Sequence, residues 1–279
     1  MAGVISKRGI HMLEMFVRKP QRAARKQAGF TLVEMSVVLL VIGLILGAVS
    51  IGKDLQRDAE YIKIKQKFID PWAAAYNSYF MRAGVVLGDS QVAPNFMVNG
   101  AAYAVGTSGA TGTMTAATAP VPICDAITVQ PGTTATPVAT LYDEMDKHGV
   151  RMPPGRTEGK EARYVYLDSN GNPQEIQICF QWNKPGTFTN SGNVMVISGL
   201  TPDLARALDQ MVDGKADAHE GMFRQLGILA GSGVAGGEWL GNNTNAWGGT
   251  AAIAADATAA NRKDEDQVIT VVAHYKMNQ

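Results

Sequence analysis

Residues 30–52 read FTLVEMSVVLLVIGLILGAVSIG, an apolar run of 23 residues in which Glu34 is the only ionisable side chain. A helix of about 20 apolar residues crosses the hydrocarbon core of a bilayer, so the run predicts a transmembrane helix. An ionised side chain costs roughly 2.5–3.5 kcal/mol at the bilayer centre and less near an interface. Glu34 therefore needs a partner or a function that offsets this cost.

The segment before the apolar run is strongly basic. Residues 1–29 contain seven Lys and Arg side chains and a single acidic one, Glu14. The positive-inside rule holds such a segment in the cytoplasm, so the sequence predicts a single-pass membrane protein whose remainder is exported. That remainder has 18 basic and 24 acidic residues, and this acidic balance argues against general nucleic-acid binding.

The junction KQAGFTLVEM, residues 26–35, resembles the N-terminal segment of the type IV pilin superfamily. A secretory signal peptide would have a shorter apolar core followed by a small-residue cleavage site. The superfamily pattern is a Gly, then an apolar residue that is usually Phe, with Glu as the fifth residue after the cut. Gly29, Phe30 and Glu34 match this pattern one for one. The superfamily includes pilus subunits, minor pilins and the pseudopilins of type II secretion.

The resemblance implies how the chain is processed and assembled. A prepilin peptidase would cut between Gly29 and Phe30, remove the basic cytoplasmic leader and N-methylate Phe30. The mature subunit would stay in the inner membrane until the pilus or secretion assembly machinery moves it into an extracellular or periplasmic helical filament. There Glu34 would pair with the Phe30 ammonium of a neighbouring copy, because a paired charge is tolerated in an apolar core. A single-pass anchor with an incidental Glu is the alternative.

The helical period continues beyond the membrane segment. Apolar residues recur at three- to four-residue steps, namely Leu55, Ala59, Ile62, Ile69, Trp72, Tyr76 and Phe80. This spacing predicts one helix over residues 30–82, with 30–52 forming the membrane span and filament core. Pro71 interrupts the period, and we expect it to kink the helix rather than end it because the apolar period resumes at once.

The remaining residues, 83–279, predict a periplasmic or extracellular head. The elements that we predict are a hairpin at 163–182, a strand at 193–198, a helix at 201–212 and a final strand at 267–275. Asn170 and Gly171 are a strong hairpin turn signal. Thr201 is a typical N-cap, and Gly214 a typical stop, for the helix between them. The predicted fold class is α+β: a long N-terminal transmembrane and stem helix, with an antiparallel β-sheet head packed on its upper half.

Two Gly-rich tracts, residues 100–140 and 231–261, can bury little apolar surface and predict exposed loops. Cys124 lies in the first tract and Cys179 lies in the predicted hairpin. An oxidising exported compartment permits a disulfide between these two cysteines, which would tie the tract to the sheet. Two free buried thiols are the alternative.

The sequence predicts no catalytic site, cofactor or metal, and hence no enzyme. Residues 231–236 fit a nucleotide-binding glycine pattern but lack its strand-turn-helix context. His219 and Glu220 lack the second His of a zinc-protease motif. Asp213, Asp217 and Glu220 form an acidic loop that suits calcium by charge but not by spacing, so a solvated helix end is the favoured interpretation.

The sequence thus favours a structural subunit of a type IV pilus or pilus-like filament, whose partners are copies of itself, the prepilin peptidase and the assembly machinery. The alternatives are a minor, tip-located adhesive or binding pilin and a type II secretion pseudopilin. The head of about 200 residues, which is ample for its own core, keeps the binding alternative open.

Overall fold

The computed structural model describes residues 29–100, 122–125, 140–183, 190–227, 237–239 and 270–277. The chain divides into two compact units, Met1–Ile51 and Gly52–Gln279. Most of the two Gly-rich tracts, including the glycine pattern at 231–236, lies outside the described residues.

A long helical stretch begins directly after the predicted cleavage position. It consists of helix α1 (Leu32–Ile64), a π-helical segment (Lys65–Ile69) and helix α2 (Asp70–Ala83). Gly84 ends it in the left-handed conformation, with φ at 75°, and donates its N–H to the Phe80 carbonyl. The predicted long helix is confirmed, with its first residue at Leu32 and its last at Ala83.

Pro71 does not end this helical stretch, because the turn before it is wider than an α-helical turn. The Asp70 N–H donates to the Lys65 carbonyl, a bond that spans five residues instead of four. Proline has no N–H to donate, and a π-helical turn is a known local adjustment at such a break in the ladder. The Lys65 ammonium also forms a salt bridge of 2.8 Å with the Asp70 carboxylate across this turn.

Five strands form one antiparallel sheet. The strands are β1 (Arg163–Leu167), β2 (Pro173–Asn183), β3 (Gly192–Leu200), β4 (Phe223–Gln225) and β5 (Val271–Lys276). Their spatial order is β1-β2-β3-β5-β4, and every pairing is antiparallel. The predicted α+β fold class with an antiparallel sheet is therefore confirmed, and β1 and β2 are the predicted hairpin.

The main core of the head lies between the long helix and one face of the sheet. Phe180 on β2 packs against Trp72 and Tyr76, with ring centroids 6.3 and 5.2 Å apart respectively. Both helix side chains are almost completely buried. The predicted apolar stripe is only partly a core stripe, however: Leu55 is 65 % exposed and Ile62 is 44 % exposed. The periodicity alone did not show where along the helix the head begins to cover it.

Helix α4 (Pro202–Asp213) follows β3 as predicted. The Thr201 hydroxyl accepts the Leu204 N–H as its N-cap, and Gly214 closes the helix in the left-handed conformation. Two short elements were not predicted. Helix α3 (Leu141–Lys147) begins with a capping box between Thr140 and Asp143, and β4 has only three residues.

A disulfide lies in a second, smaller apolar cluster of the head. Cys124 and Cys179 are bonded, they lie 55 residues apart in sequence, and both are buried. Next to the disulfide, Ile123 and Phe180 exchange two backbone hydrogen bonds of 2.7 and 3.0 Å. The pairing predicted from the two cysteines is present. The expectation of an exposed loop over 100–140 is wrong at Ile123, which is 1 % exposed because it pairs with the sheet.

Candidate processing and assembly site

The first turn of α1 is closed by a capping box. The Thr31 hydroxyl oxygen accepts the Glu34 N–H at 3.2 Å, and Glu34 Oε2 accepts the Thr31 N–H at 2.7 Å. The Thr31 hydroxyl also donates to the same carboxylate oxygen at 3.0 Å. This reciprocal pattern satisfies two N–H groups that a helix start otherwise leaves open. The four-residue signature, Thr31 with Glu three positions later, was visible in the sequence, but we interpreted Glu34 only as an assembly residue.

Gly29 and Phe30 precede the helix in a non-helical conformation. Phe30 is 79 % exposed. A Cβ added at Gly29 would meet no described atom within 4 Å. The described residues therefore do not require a small residue at position 29, and a molecule that binds this peptide bond could impose that requirement.

Between Met35 and Gly52 the helix carries no charged side chain. Its most apolar window has a mean hydropathy of 2.6 and no buried residue, which by length and composition suits a membrane span. Glu34 shares a shallow depression with Phe30, Val33, Val37 and neighbouring side chains. A carboxylate among such neighbours is poorly solvated once lipid or protein covers them, so a second donor to it would then be favourable.

The acidic loop after α4 is held by hydrogen bonds and ion pairs within the head. The Asp213 carboxylate accepts the backbone N–H groups of residues 222–223 at 3.1 and 2.9 Å. The Lys215 ammonium lies 2.9 Å from Asp217 and 2.7 Å from Glu220. Across the described part of the chain, no three potential metal-ligating side chains converge.

The family model described as "Prokaryotic N-terminal methylation motif" matches residues 24–50. This match spans the end of the basic segment, the predicted cleavage position, the capping box and most of the apolar run. The chain carries the signature of type IV prepilin-like proteins. The signature implies processing by a prepilin peptidase and assembly in a pilus-like system, and it is consistent with an inner-membrane anchor. No curated protein and no solved structure matches the chain.

The three predicted site residues lie in one short segment of the structure. Gly29 and Phe30 lie just before the N-cap Thr31, and Glu34 lies in the first turn of the helix. The residue that sequence reasoning missed is Thr31, which holds one oxygen of the Glu34 carboxylate. The methylation signature ends at residue 50 and does not extend into the head.

Proposed function

We propose that the chain is a structural subunit of a type IV pilus or a related filament, assembled from the inner membrane. The observation that carries this proposal is the position of Glu34. Glu34 is the only carboxylate in the exposed apolar run 30–52, it lies in the first turn of α1, and it belongs to the methylation motif.

The proposed life cycle follows three parts of the chain. Residues 1–29 are a cytoplasmic leader that the prepilin peptidase removes by cutting after Gly29, and Phe30 is then N-methylated. Residues 30–82 are the long helix, of which 30–52 anchor the subunit in the inner membrane and later form the filament core. Residues 83–279 are the head, which reaches the periplasm or the filament surface and carries the disulfide.

The assembly step depends on the two oxygens of Glu34. Oε2 accepts both hydrogen bonds from Thr31, whereas Oε1 accepts none from the described residues. Oε1 is therefore the oxygen that we assign to the Phe30 ammonium of a neighbouring copy. Such a charge pair offsets the desolvation of both groups in an apolar filament core, and a subunit in the wrong register would leave both charges unpaired.

The proposed role is structural, and we assign no catalysis to the chain. In the acidic loop of the described head, the Asp213 carboxylate accepts two backbone N–H groups and the Asp217 carboxylate pairs with Lys215. These contacts stabilise the loop, and we infer a structural role for its carboxylates. Assay of the purified protein for hydrolase activity is expected to give background rates.

Isolation of filaments from the native host tests the proposal. Intact-mass analysis should find a chain that begins at N-methylated Phe30, and antibodies to the head should label the filaments along their length. Labelling at one end would instead indicate a tip-located adhesive or binding pilin. Recovery only with a type II secretion apparatus would indicate a pseudopilin. An uncut chain in the wild type would overturn all three assignments.

A further inference from the structure

Residues 237–239 form a small docked segment between the end of α4 and β4. Trp239 is 1 % exposed, and its ring centroid lies 5.4 Å from that of Phe223. Gly237 donates its N–H to Asp217 Oδ1 at 3.2 Å, and its carbonyl accepts the Ala218 N–H at 2.9 Å. The segment is thus held by the buried Trp239 side chain and by two hydrogen bonds of the Gly237 backbone, one to the Asp217 side chain and one to the Ala218 backbone.

The carboxyl group of Asp209 on α4 lies beneath this docked segment. Asp209 is fully buried, and its Oδ2 accepts the Trp239 Nε1–H at 3.0 Å and the Asp217 N–H at 2.7 Å. Its Oδ1 is buried and accepts no hydrogen bond from any described residue. A buried carboxylate oxygen without a donor is costly, so the group needs a proton or a cation at Oδ1.

A second carboxyl group, that of Asp213, interacts with the Asp209 carboxyl group. Asp213 lies one turn further along α4, and its side chain is within hydrogen-bonding reach of Asp209. Both Asp213 oxygens already accept backbone N–H groups, from residues 222–223. Two carboxylates cannot hydrogen-bond to each other unless one of them carries a proton, so a proton is the simplest ligand that satisfies the pair.

We propose that Asp209 and Asp213 share one proton, and that this proton makes the docking of residues 237–239 on α4 pH-dependent. The proton lies on Asp209 Oδ1 and is donated to the Asp213 carboxylate. Asp209 Oδ2 keeps its bonds to Trp239 and Asp217. Loss of the proton leaves two carboxylates facing each other in a buried position beneath Trp239, which weakens the docking. The proposal concerns the head alone and does not depend on filament assembly.

The electrostatics of the site agree with this arrangement. Burial is the largest cause and raises the pKa of Asp209 from 3.8 to about 7; the hydrogen bonds from Trp239 and Asp217 oppose this shift, and the charge of Asp213 adds to it. The docked state therefore holds its proton over a pH range in which a solvent-exposed Asp has lost it. Docking should weaken about tenfold per pH unit from pH 4 to pH 7 and level off above, roughly a thousandfold in all.

Other charged groups around the pair come from three further elements. The loop after α4 contributes Lys215, Asp217, His219 and Glu220, β4 contributes Arg224, and β5 contributes Tyr275. The Lys215 ammonium forms ion pairs with Asp217 and Glu220 at 2.9 and 2.7 Å. The His219 ring packs against Gly237 of the docked segment, so it is the side chain whose contribution an experiment must separate from that of Asp209.

Fluorine NMR of the full chain in detergent, labelled with 5-fluorotryptophan, tests the proposal. The chain has four tryptophans, and the Trp239 resonance is assigned by its loss in Trp239→Phe. In the wild type this resonance should titrate with a midpoint near pH 7. In Asp209→Asn it should stay constant from pH 4 to pH 9. In His219→Gln the wild-type midpoint should persist, because the proposal assigns the midpoint to the Asp209–Asp213 pair.

Several outcomes would overturn the proposal. They are a flat wild-type titration, a midpoint that persists in Asp209→Asn, and a midpoint that disappears in His219→Gln. If Asp209→Asn does not fold, Asp213→Asn tests the same pair: it removes the second carboxylate, so the midpoint should move to lower pH, and an unchanged midpoint would count against proton sharing. A midpoint lowered by millimolar calcium would show that a cation occupies the pair, which also contradicts a shared proton.

Discussion

Glu34 makes two kinds of interaction that belong to different states of the chain. In the single chain its Oε2 completes the capping box with Thr31, which is a local contact that any isolated helix can form. In the proposed filament its Oε1 receives the ammonium of another copy. The sequence predicted the second role from a family resemblance, whereas the first role was available from the Thr-x-x-Glu spacing and elementary helix capping. One carboxylate can serve both because it has two oxygens.

Thr31→Ala should loosen the first turn of α1. The substitution removes the hydroxyl that accepts the Glu34 N–H, and loss of such an N-cap costs about 0.5–2 kcal/mol. Amide hydrogen exchange at residues 32–34, measured on the full chain in detergent, should become faster by a corresponding factor. Thr31→Ser keeps the hydroxyl and should exchange like the wild type. Equal exchange in Thr31→Ala and the wild type would contradict the capping box.

Gly29→Leu should block processing without disturbing the fold. A Cβ at this position meets no described atom within 4 Å, so the head and α1 should be unaffected. The peptidase, in contrast, must bring the residue before the scissile bond close to its own backbone at the membrane face. Intact-mass analysis should find the full-length chain in Gly29→Leu. Gly29→Ala adds one methyl group and serves as the milder control, and efficient cleavage of the Leu variant would refute the assigned cut.

At the scale of single elements, the sequence predicted those helices and strands whose ends are fixed by turn and capping residues nearby in the chain. The β1–β2 hairpin has Asn170 and Gly171 at its turn, and α4 has both an N-cap and a left-handed glycine stop. Helix α3 and strand β4 are too short for a periodic pattern, and the burial of Ile123 depends on its pairing with Phe180 far along the chain. This pairing is a tertiary contact, so the residues next to Ile123 in sequence do not predict its burial.

Cys124→Ser should destabilise the head by about 2–5 kcal/mol, the usual range for loss of a native disulfide. The bond joins positions 55 residues apart, so it removes much freedom from the unfolded chain. Urea unfolding of the full chain in detergent, followed by tryptophan fluorescence, should show the lower midpoint. Reduction of the wild type should give the same loss and controls for the substitution itself. Labelling of both thiols in the unreduced protein would show that the bond does not form.

Gly199→Ala should destabilise the sheet through both backbone strain and a steric clash. Gly199 has φ at 78° in the irregular part of the β3–β5 pairing, and a Cβ there would collide with the Glu175 carbonyl oxygen on β2. Gly159 is a matched control, since it has φ at 77° and open space around it. We expect about 1–2 kcal/mol for Gly159→Ala from the left-handed conformation alone. Urea unfolding should show a clearly larger loss for Gly199→Ala, and equal losses would mean that the β2 contact relaxes freely.

At the scale of the whole molecule, the two units differ in where their apolar surface is covered. The head buries its own core of aromatic and aliphatic side chains. The side chains from Phe30 to Ile51 are exposed in the described part of the chain, with Leu32 86 % exposed and Leu44 73 % exposed. Removing apolar surface from water contributes about 25 cal/mol per Å². Contact with lipid or with other copies of the chain would therefore stabilise this unit by burying its exposed apolar side chains. In the proposed life cycle, lipid buries these side chains in the membrane and neighbouring subunits bury them in the filament.

Glu34→Gln isolates the charge from the helix cap and gives the sharpest test of assembly. Glutamine at this position preserves the capping-box hydrogen bonds with Thr31, whereas Glu34→Ala removes both the cap and the charge. Membrane insertion, peptidase cleavage and head folding need no charge at position 34, so both variants should accumulate as processed subunit in the membrane. Filament yield should fall in both, because the Phe30 ammonium of a neighbouring copy would enter an apolar core without its counter-ion.

The comparison of the two Glu34 variants decides what the carboxylate does. Quantification of filaments and of membrane-bound processed subunit separates assembly from processing. If Glu34→Gln assembles normally and Glu34→Ala does not, the residue acts through the helix cap and the ammonium pairing is wrong. If both assemble normally, the carboxylate is incidental to assembly. Loss of filaments in both, with Thr31→Ala still competent, is the result that requires the charge, since only the ion pair is common to the two failing variants.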